Sequence, residues 1–184
     1  VLQAAGFRIP IGRLASPETA TSVAAEIGYP VVLKMMGPKL LHKTEAGAVA
    51  LNLKSEVALK EAISTIRASV NRYDPLALTD AFLIENMAKF PLAELVVGLR
   101  QDPQFGWVLT LGSGGILVEL VGDAKTLLLP TRIEAIKGAL EGLKVTQLLT
   151  GFRGTKPADI NALAQTILDL CNWAMTQDKA LQEV

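Results

Sequence analysis

The stretch from Tyr29 to Gly47, Y-P-V-V-L-K-M-M-G-P-K-L-L-H-K-T-E-A-G, constrains the fold more than any other part of the chain. Val31, Val32 and Leu33 form a short apolar, β-rich run behind a Gly-Tyr-Pro break, which predicts a strand. The strand delivers Lys34 at its end, breaks at Gly37-Pro38 and runs into a polar loop closed by Gly47. That loop carries His42, the only histidine in the chain, beside Lys43, Thr44 and Glu45. A strand-borne lysine followed by a loop of hydrogen-bonding groups suits a phosphate-handling site.

Composition narrows the class. The chain has 184 residues, half of them hydrophobic, which is enough core for one domain or for two lobes. Lys+Arg and Asp+Glu each number 18, so no net charge points to nucleic acid or to an anionic membrane. A single cysteine, Cys171, excludes an intramolecular disulfide, and its place on the apolar face of a predicted helix favours a buried structural role. The apolar runs are too short to span a bilayer and no signal peptide is visible, so a soluble, cytoplasmic protein is expected. The chain starts at Val1 without a methionine and reads as a piece of a longer polypeptide.

Local signals then order the elements. Gly6–Arg13 reads as extended, and Ser16-Pro17 as a helix start with Ala20, Val23, Ala24 and Ile27 at helical spacing and Gly28 as a left-handed cap. After the central stretch, Val49–Leu53 alternates as a strand, and Ser55 opens a helix with Leu59, Ile63, Ile66 and Val70 on one face. This order is βαβ-like, then β and α. Asn71–Asp80, with Pro75, is the expected boundary between an N-terminal lobe over 1–80 and a C-terminal lobe over 81–184. Ala81–Glu85 reads as a buried strand, and Asp102-Pro-Gln-Phe-Gly106 as the turn of a hairpin between Glu94–Arg100 and Trp107–Leu111. Ile116–Val121 and Lys125–Leu129 are further expected strands, followed by a short helix with Ile133, Ile136, Leu140 and Leu143. A last helix over about Pro157–Met175 carries a wide apolar stripe. The predicted class is α+β in two β-rich lobes with flanking helices, the second lobe mainly an antiparallel sheet.

The motifs carry a family resemblance. Y-P-V-V-L-K and L-L-H-K-T-E-A-G resemble the ATP-grasp domain of the ADP-forming acyl-CoA synthetases, a family that includes ADP-forming acetate–CoA ligases and is related to the succinyl-CoA synthetase β subunit. The resemblance continues in E-L-V-V-G-L-R from Glu94, in D-P-Q-F-G from Asp102 and in G-S-G-G-I from Gly112, in the family's order. It implies an ATP-grasp fold holding ATP or ADP with Mg²⁺ between two lobes. It also implies that the chain stops, after Leu181-Gln-Glu-Val184, where the family continues into an acidic-apolar-Asn-Pro segment supplying metal ligands. CoA-binding and ligase-like domains, on the same or a partner chain, would handle the acyl-CoA and carboxylic acid, in an oligomeric full-length enzyme.

Residue by residue, the resemblance places Lys34 on the nucleotide phosphates, where a strand-held ammonium neutralises charge on a transferring phosphoryl group. The plainer reading is a strand-end lysine pointing into water. His42 matches the histidine proposed to take phosphate from a partner's phosphohistidine segment and pass it toward ADP. A neutral imidazole is a competent nucleophile, although a lone loop histidine is as readily a hydrogen-bonding residue. Glu85 and Met87 fall at the family's hinge, whose main chain meets the adenine, and Glu94 resembles the carboxylate that accepts from the ribose hydroxyls. Strand-end surface charge and core packing are their plainer roles. Arg100 reaches phosphates in this reading, or pairs with Asp102 across a turn. Gly114 and Gly115 belong to the glycine-rich loop, which lacks a G-K-[ST] ending and so is no Walker A motif. Glu119 and Asp123 are the expected Mg²⁺ carboxylates, with surface charge the alternative for Asp123.

Some positions depart from the family pattern: Lys39 after Gly37-Pro38, Ala48 after Gly47, Ser113 in the glycine loop, and Leu127 where an arginine is common. The function implied is the nucleotide-binding part of an acid–CoA ligase, incomplete in activity by itself. Two rivals stand beside it. One is a ligand-sensing module of a synthetase-like region fused to a lysine acetyltransferase. The other is an interaction domain that has lost nucleotide binding, a reading favoured by Leu127 and Ala48.

Overall fold

The computed structural model describes residues 2–88, 91–114, 122–177 and 180–184. The chain folds as two compact units, an N-terminal one over Arg8–Lys89 and a C-terminal one over Phe90–Val184 that also includes Gln3–Phe7.

In the N-terminal unit, β1 (Gly12–Ala15), β2 (Val31–Met35), β3 (Val49–Leu53) and β4 (Phe82–Asn86) form a sheet of order β1-β4-β2-β3. Every neighbouring pair is antiparallel. Helices α1 (Ala20–Ile27) and α2 (Glu56–Tyr73) supply the other layer. Alternation along the strands sends Val31, Leu33, Met35, Phe82 and Ile84 into a core shared with Leu59, Ile63, Ile66 and Val70 of α2. The opposite alternation, Lys34, Leu83 and Glu85, faces away from that core. Ser55 caps α2 as expected, its hydroxyl accepting from the Ala58 amide at 3.2 Å.

Several elements sit otherwise than expected. β1-α1-β2 is not a simple βαβ unit, because β4 lies between its two strands and bonds to both. The two compact units divide near residue 89, with β4 in the N-terminal one. The Pro75 segment expected to be a linker is a 3-10 turn over Pro75–Ala77, capped by the Asp74 carboxylate accepting from the Leu76 amide at 2.9 Å. Finally, α1 begins at Ala20. Ser16 and Thr19 satisfy each other in a preceding turn, the Ser16 amide donating to Thr19 Oγ1 at 2.9 Å and the Thr19 amide to the Ser16 carbonyl at 3.1 Å. Gly28 has the positive φ expected of a helix terminator, 89°, but with ψ 129° it leaves the left-handed region and turns the chain toward β2.

In the C-terminal unit, β5 (Leu95–Asp102), β6 (Gly106–Ser113) and β7 (Ala124–Leu128) form an antiparallel meander. The β5–β6 turn is built as its composition predicts: the Asp102 carboxylate accepts from the Gln104 and Phe105 amides, which hold its pKa below the ordinary value. One sheet face buries Leu99, Leu109 and Leu111 against α3 (Ile133–Glu141) and α5 (Ile160–Met175), with the one-turn helix α4 (Thr146–Leu149) between them in sequence. α5 starts at Ile160, where Asp159 provides a side-chain cap to the Ala162 amide, and not at Pro157. Cys171 is fully buried and burial pushes its thiol pKa up to about 11, consistent with an inert core residue. The C-terminal residues run along the outer edge of β5: Leu99 and Val184 exchange both backbone bonds, and the Gln101 amide donates to the Gln182 carbonyl at 2.9 Å. The expected strand Ile116–Val121 lies outside the described residues. Among those described, no helix is long and apolar enough to cross a membrane.

Candidate functional site

Lys34 stands opposite Leu83, and Glu85 opposite Val32, on paired strands, so the two side chains share the face turned away from the core. They form an ion pair, Lys34 Nζ to Glu85 Oε2, at 2.5 Å. The Glu85 side chain is 16% exposed and that of Lys34 35%, so the pair is partly desolvated yet open on the lysine side. Gly12, opposite Glu85 on the other flank of β4, makes room for it: a Cβ at position 12 would lie 2.8 Å from Glu85 Cγ. Glu85 thus has a side-chain partner that the sequence reading, which gave it a main-chain role, did not foresee. Gly12 was missed altogether. The Met87 amide donates to the Pro30 carbonyl at 3.0 Å, which leaves the Met87 carbonyl as its main-chain group without a partner among the described residues.

The histidine loop combines a buried base with an exposed tip. Leu40, Ala46 and Ala48 are anchored in the core, and the Ala46 and Ala48 amides close back on the His42 and Lys43 carbonyls at 3.1 and 2.8 Å. Gly47 has φ 63° and packs on Ser69, where a Cβ would come within 2.9 Å of Ser69 Cβ. His42 itself is 70% exposed, with Nδ1 3.8 Å from Glu45 Oε1. Residues Leu41 to Glu45 together line a shallow hollow. An accessible imidazole on a braced loop can act as a nucleophile without the loop having to order first.

In the C-terminal unit Glu94 is exposed and its carboxylate has no partner among the described residues. Its main chain is held by Gly114, whose amide donates to the Glu94 carbonyl at 2.7 Å. Gly114 must be glycine there, since a Cβ would meet Glu94 C at 2.8 Å. Arg100 is exposed and lies 3.7 Å from Asp102, so the turn-pairing reading is realised, while its guanidinium remains open to solvent.

Asp123, expected as an Mg²⁺ carboxylate, is engaged by the protein's own donors. The residue is 7% exposed. It accepts from the Ser113 hydroxyl, from the Lys144 amide at 3.0 Å and from the Val145 amide at 3.3 Å. Burial works against its ionisation, but the Ser113 hydroxyl and the two amides outweigh it and hold the pKa below the ordinary aspartate value. The carboxylate expected to bind Mg²⁺ is therefore committed to the frame of the unit. The other expected ligand, Glu119, and the loop glycine Gly115 lie outside the described residues. Among those described, no group of three His, Cys, Asp or Glu side chains is arranged to hold a metal ion.

A pH dependence follows. Because the folded pKa is depressed, the Asp123 network contributes its stability in full above the ordinary aspartate range and loses it as pH falls through the lowered folded value. Unfolding titrations of wild type and Asp123→Asn should differ by about 1–3 kcal/mol at neutral pH. The gap should close below the aspartate range; a pH-independent gap would contradict the assignment.

Comparison with known proteins places the whole chain in a family. The family model of an ATP-grasp domain matches residues 1–181. The β subunit of acetate–CoA ligase [ADP-forming] II of Pyrococcus furiosus is 38% identical over 91% of this chain and 71% of its own length. The 4-hydroxybutyrate–CoA ligase [ADP-forming] of Nitrosopumilus maritimus is also 38% identical over 91% of this chain, which spans only 24% of that longer protein. Among solved structures, acetyl-coenzyme A synthetase 1 of Ca. Korarchaeum cryptofilum, in complex with coenzyme A and Ca-AMPCP, superposes with a TM-score of 0.90 at 34% identity. It covers 99% of this chain and 79% of that one. A second structure of that synthetase, with Mg-AMPPCP and its phosphohistidine segment pointing towards the nucleotide-binding site, gives 0.80 at 31% identity, covering 99% and 78%. A match over nearly the whole chain makes this protein a member of the ATP-grasp family found in the ADP-forming acyl-CoA synthetases.

Proposed function

We propose that this chain is the nucleotide-binding part of an ADP-forming acyl-CoA synthetase, contributing phosphoryl transfer to acyl-CoA + ADP + phosphate ⇌ acid + CoA + ATP. The observation that carries the reading is the Lys34–Glu85 pair, an ammonium fixed on a central strand and open on one side. A lysine so placed meets phosphate oxygens without reorganising its backbone, and Glu85 holds it in position until they arrive. Each unit offers groups of the kind a nucleotide needs: in the N-terminal one Lys34 for phosphates and the Met87 carbonyl for a base, in the C-terminal one the Glu94 carboxylate for ribose hydroxyls and Arg100 as a further cation. A divalent ion, when bound, would neutralise phosphate charge, with Glu119 the remaining carboxylate proposed for it.

His42 is the proposed relay. Its imidazole nitrogen forms a bond to phosphorus as the partner segment's N–P bond breaks. The phosphoryl group then passes to an ADP oxygen and the imidazole is restored. Lys43 beside it supplies positive charge for the incoming phosphate. CoA and acyl recognition belong to CoA-binding and ligase-like domains outside this chain, as the partial coverage of its relatives supports.

Calorimetry with ADP and Mg²⁺ on the full-length protein should give saturable binding to wild type and His42→Asn alike. His42→Asn should make no ATP from acyl-CoA, ADP and phosphate. Absence of ADP binding by the folded wild type overturns the nucleotide reading; ATP formation by His42→Asn overturns the relay.

A further inference from the structure

The buried carboxylate of Asp123 sits at one end of a continuous chain of contacts whose other end is Glu94. The Lys144 and Val145 amides fix the carboxylate to a turn whose neighbours Leu143, Val145 and Leu149 are buried. From Asp123, two bonds run to Ser113, one from the Ser113 hydroxyl to the carboxylate and one from the Ser113 amide to the Asp123 carbonyl at 3.0 Å. The strands are pressed together at this point, since a Cβ on Gly112 would lie 3.0 Å from the Asp123 carbonyl oxygen. Ser113 passes directly into Gly114, which bonds the Glu94 carbonyl at 2.7 Å and leaves no space for a Cβ against it. Glu94 precedes the first residue of β5, and its carboxylate makes no hydrogen bond or ion pair with a described residue. Among the described residues, what fixes its position is the bond on its main chain.

We propose that Asp123 is a positioning residue for Glu94: through Ser113 and Gly114 it sets where the Glu94 carboxylate stands, and so how well a nucleotide's ribose is held. This inference rests on the nucleotide reading above. It assigns a task to Ser113. A hydroxyl at this position adds the side-chain half of the link, and an apolar side chain would keep only the backbone half.

The test reads the link twice, once without ligand. Hydrogen exchange in the full-length protein should show the Gly114 amide exchanging about tenfold faster in Asp123→Asn, with a smaller increase in Ser113→Ala. Unchanged exchange at Gly114 in both variants overturns the proposal whether or not ADP binds. Calorimetry with ADP and Mg²⁺ should then show Kd raised about fivefold by Asp123→Asn, and that increase should vanish when Glu94→Ala is already present. Equal fold-losses in the two backgrounds would mean that Asp123 acts by general destabilisation, and would overturn the positioning role while leaving nucleotide binding standing. A wild type that binds no ADP would instead remove the reading on which the ribose role rests. Ser113→Thr, which keeps the hydroxyl, should restore both readouts where Ser113→Ala does not.

Discussion

Replacing Lys34 by alanine is expected to lower ATP formation by about 10²–10³-fold in the full-length enzyme, the range seen when one preorganised charge-stabilising donor is removed. The structure adds a second consequence. Lys34 neutralises Glu85, whose side chain is 16% exposed, so the variant leaves a partly desolvated carboxylate facing the place where phosphates are proposed to bind. Part of the loss in Lys34→Ala should therefore be repulsion, and Lys34→Ala/Glu85→Gln should recover some ADP affinity without recovering the rate. Folding should lose about 1–3 kcal/mol, the penalty of leaving the largely buried Glu85 carboxylate unpaired, since Lys34 itself lies on the face away from the core. The measurements are ADP calorimetry, initial rates of ATP formation and thermal unfolding on the same samples. A rate within threefold of wild type would remove Lys34 from the machinery, and a double variant worse than the single would refute the repulsion argument.

How much of this could be read without coordinates depended on how local the determinants are. β2, α2 and the β5–β6 hairpin were legible because each is specified within a few residues: an apolar β-rich run, a serine cap with apolar spacing, and Asp102 bonding two and three residues ahead. The place of β4 was not. Its apolar run announces a strand, but nothing in Phe82–Asn86 says that its partners are β1 and β2, so Pro75 looked like the end of a lobe. Candidate site residues divide the same way. Lys34 and His42 stand in a motif, whereas the Lys34–Glu85 pair and the space left by Gly12 arise only when distant strands align. The bonding of Asp123 was illegible for that reason: its partners lie ten, 21 and 22 positions away, and a carboxylate near a glycine loop carries no local mark of being buried.

The largest stability effect should come from Phe82→Ala. Phe82 is fully buried in β4, opposite Ala15 on β1 and Met35 on β2, and packs among Leu33, Met35 and Ile84 beneath α2. It therefore joins strands that the chain connects only through long excursions, and no neighbour in sequence can replace it. Truncation removes the ring's transfer energy and leaves a cavity that a clamped central strand cannot close, at a cost of about 3–5 kcal/mol. Because total stabilities of about 5–15 kcal/mol are usual for domains, the N-terminal unit should unfold at markedly lower denaturant. Exchange of the β2 and β4 amides should accelerate with it, and Lys34 binding should fail as a consequence of unfolding, in contrast to Lys34→Ala. Leu128→Ala is the control: it is equally apolar but 53% exposed on β7, and should change stability by no more than about 0.5 kcal/mol. If Phe82→Ala cost less than about 1 kcal/mol, β4 would not be the central strand that joins the N-terminal sheet, and the division of the chain near residue 89 would lose its physical basis.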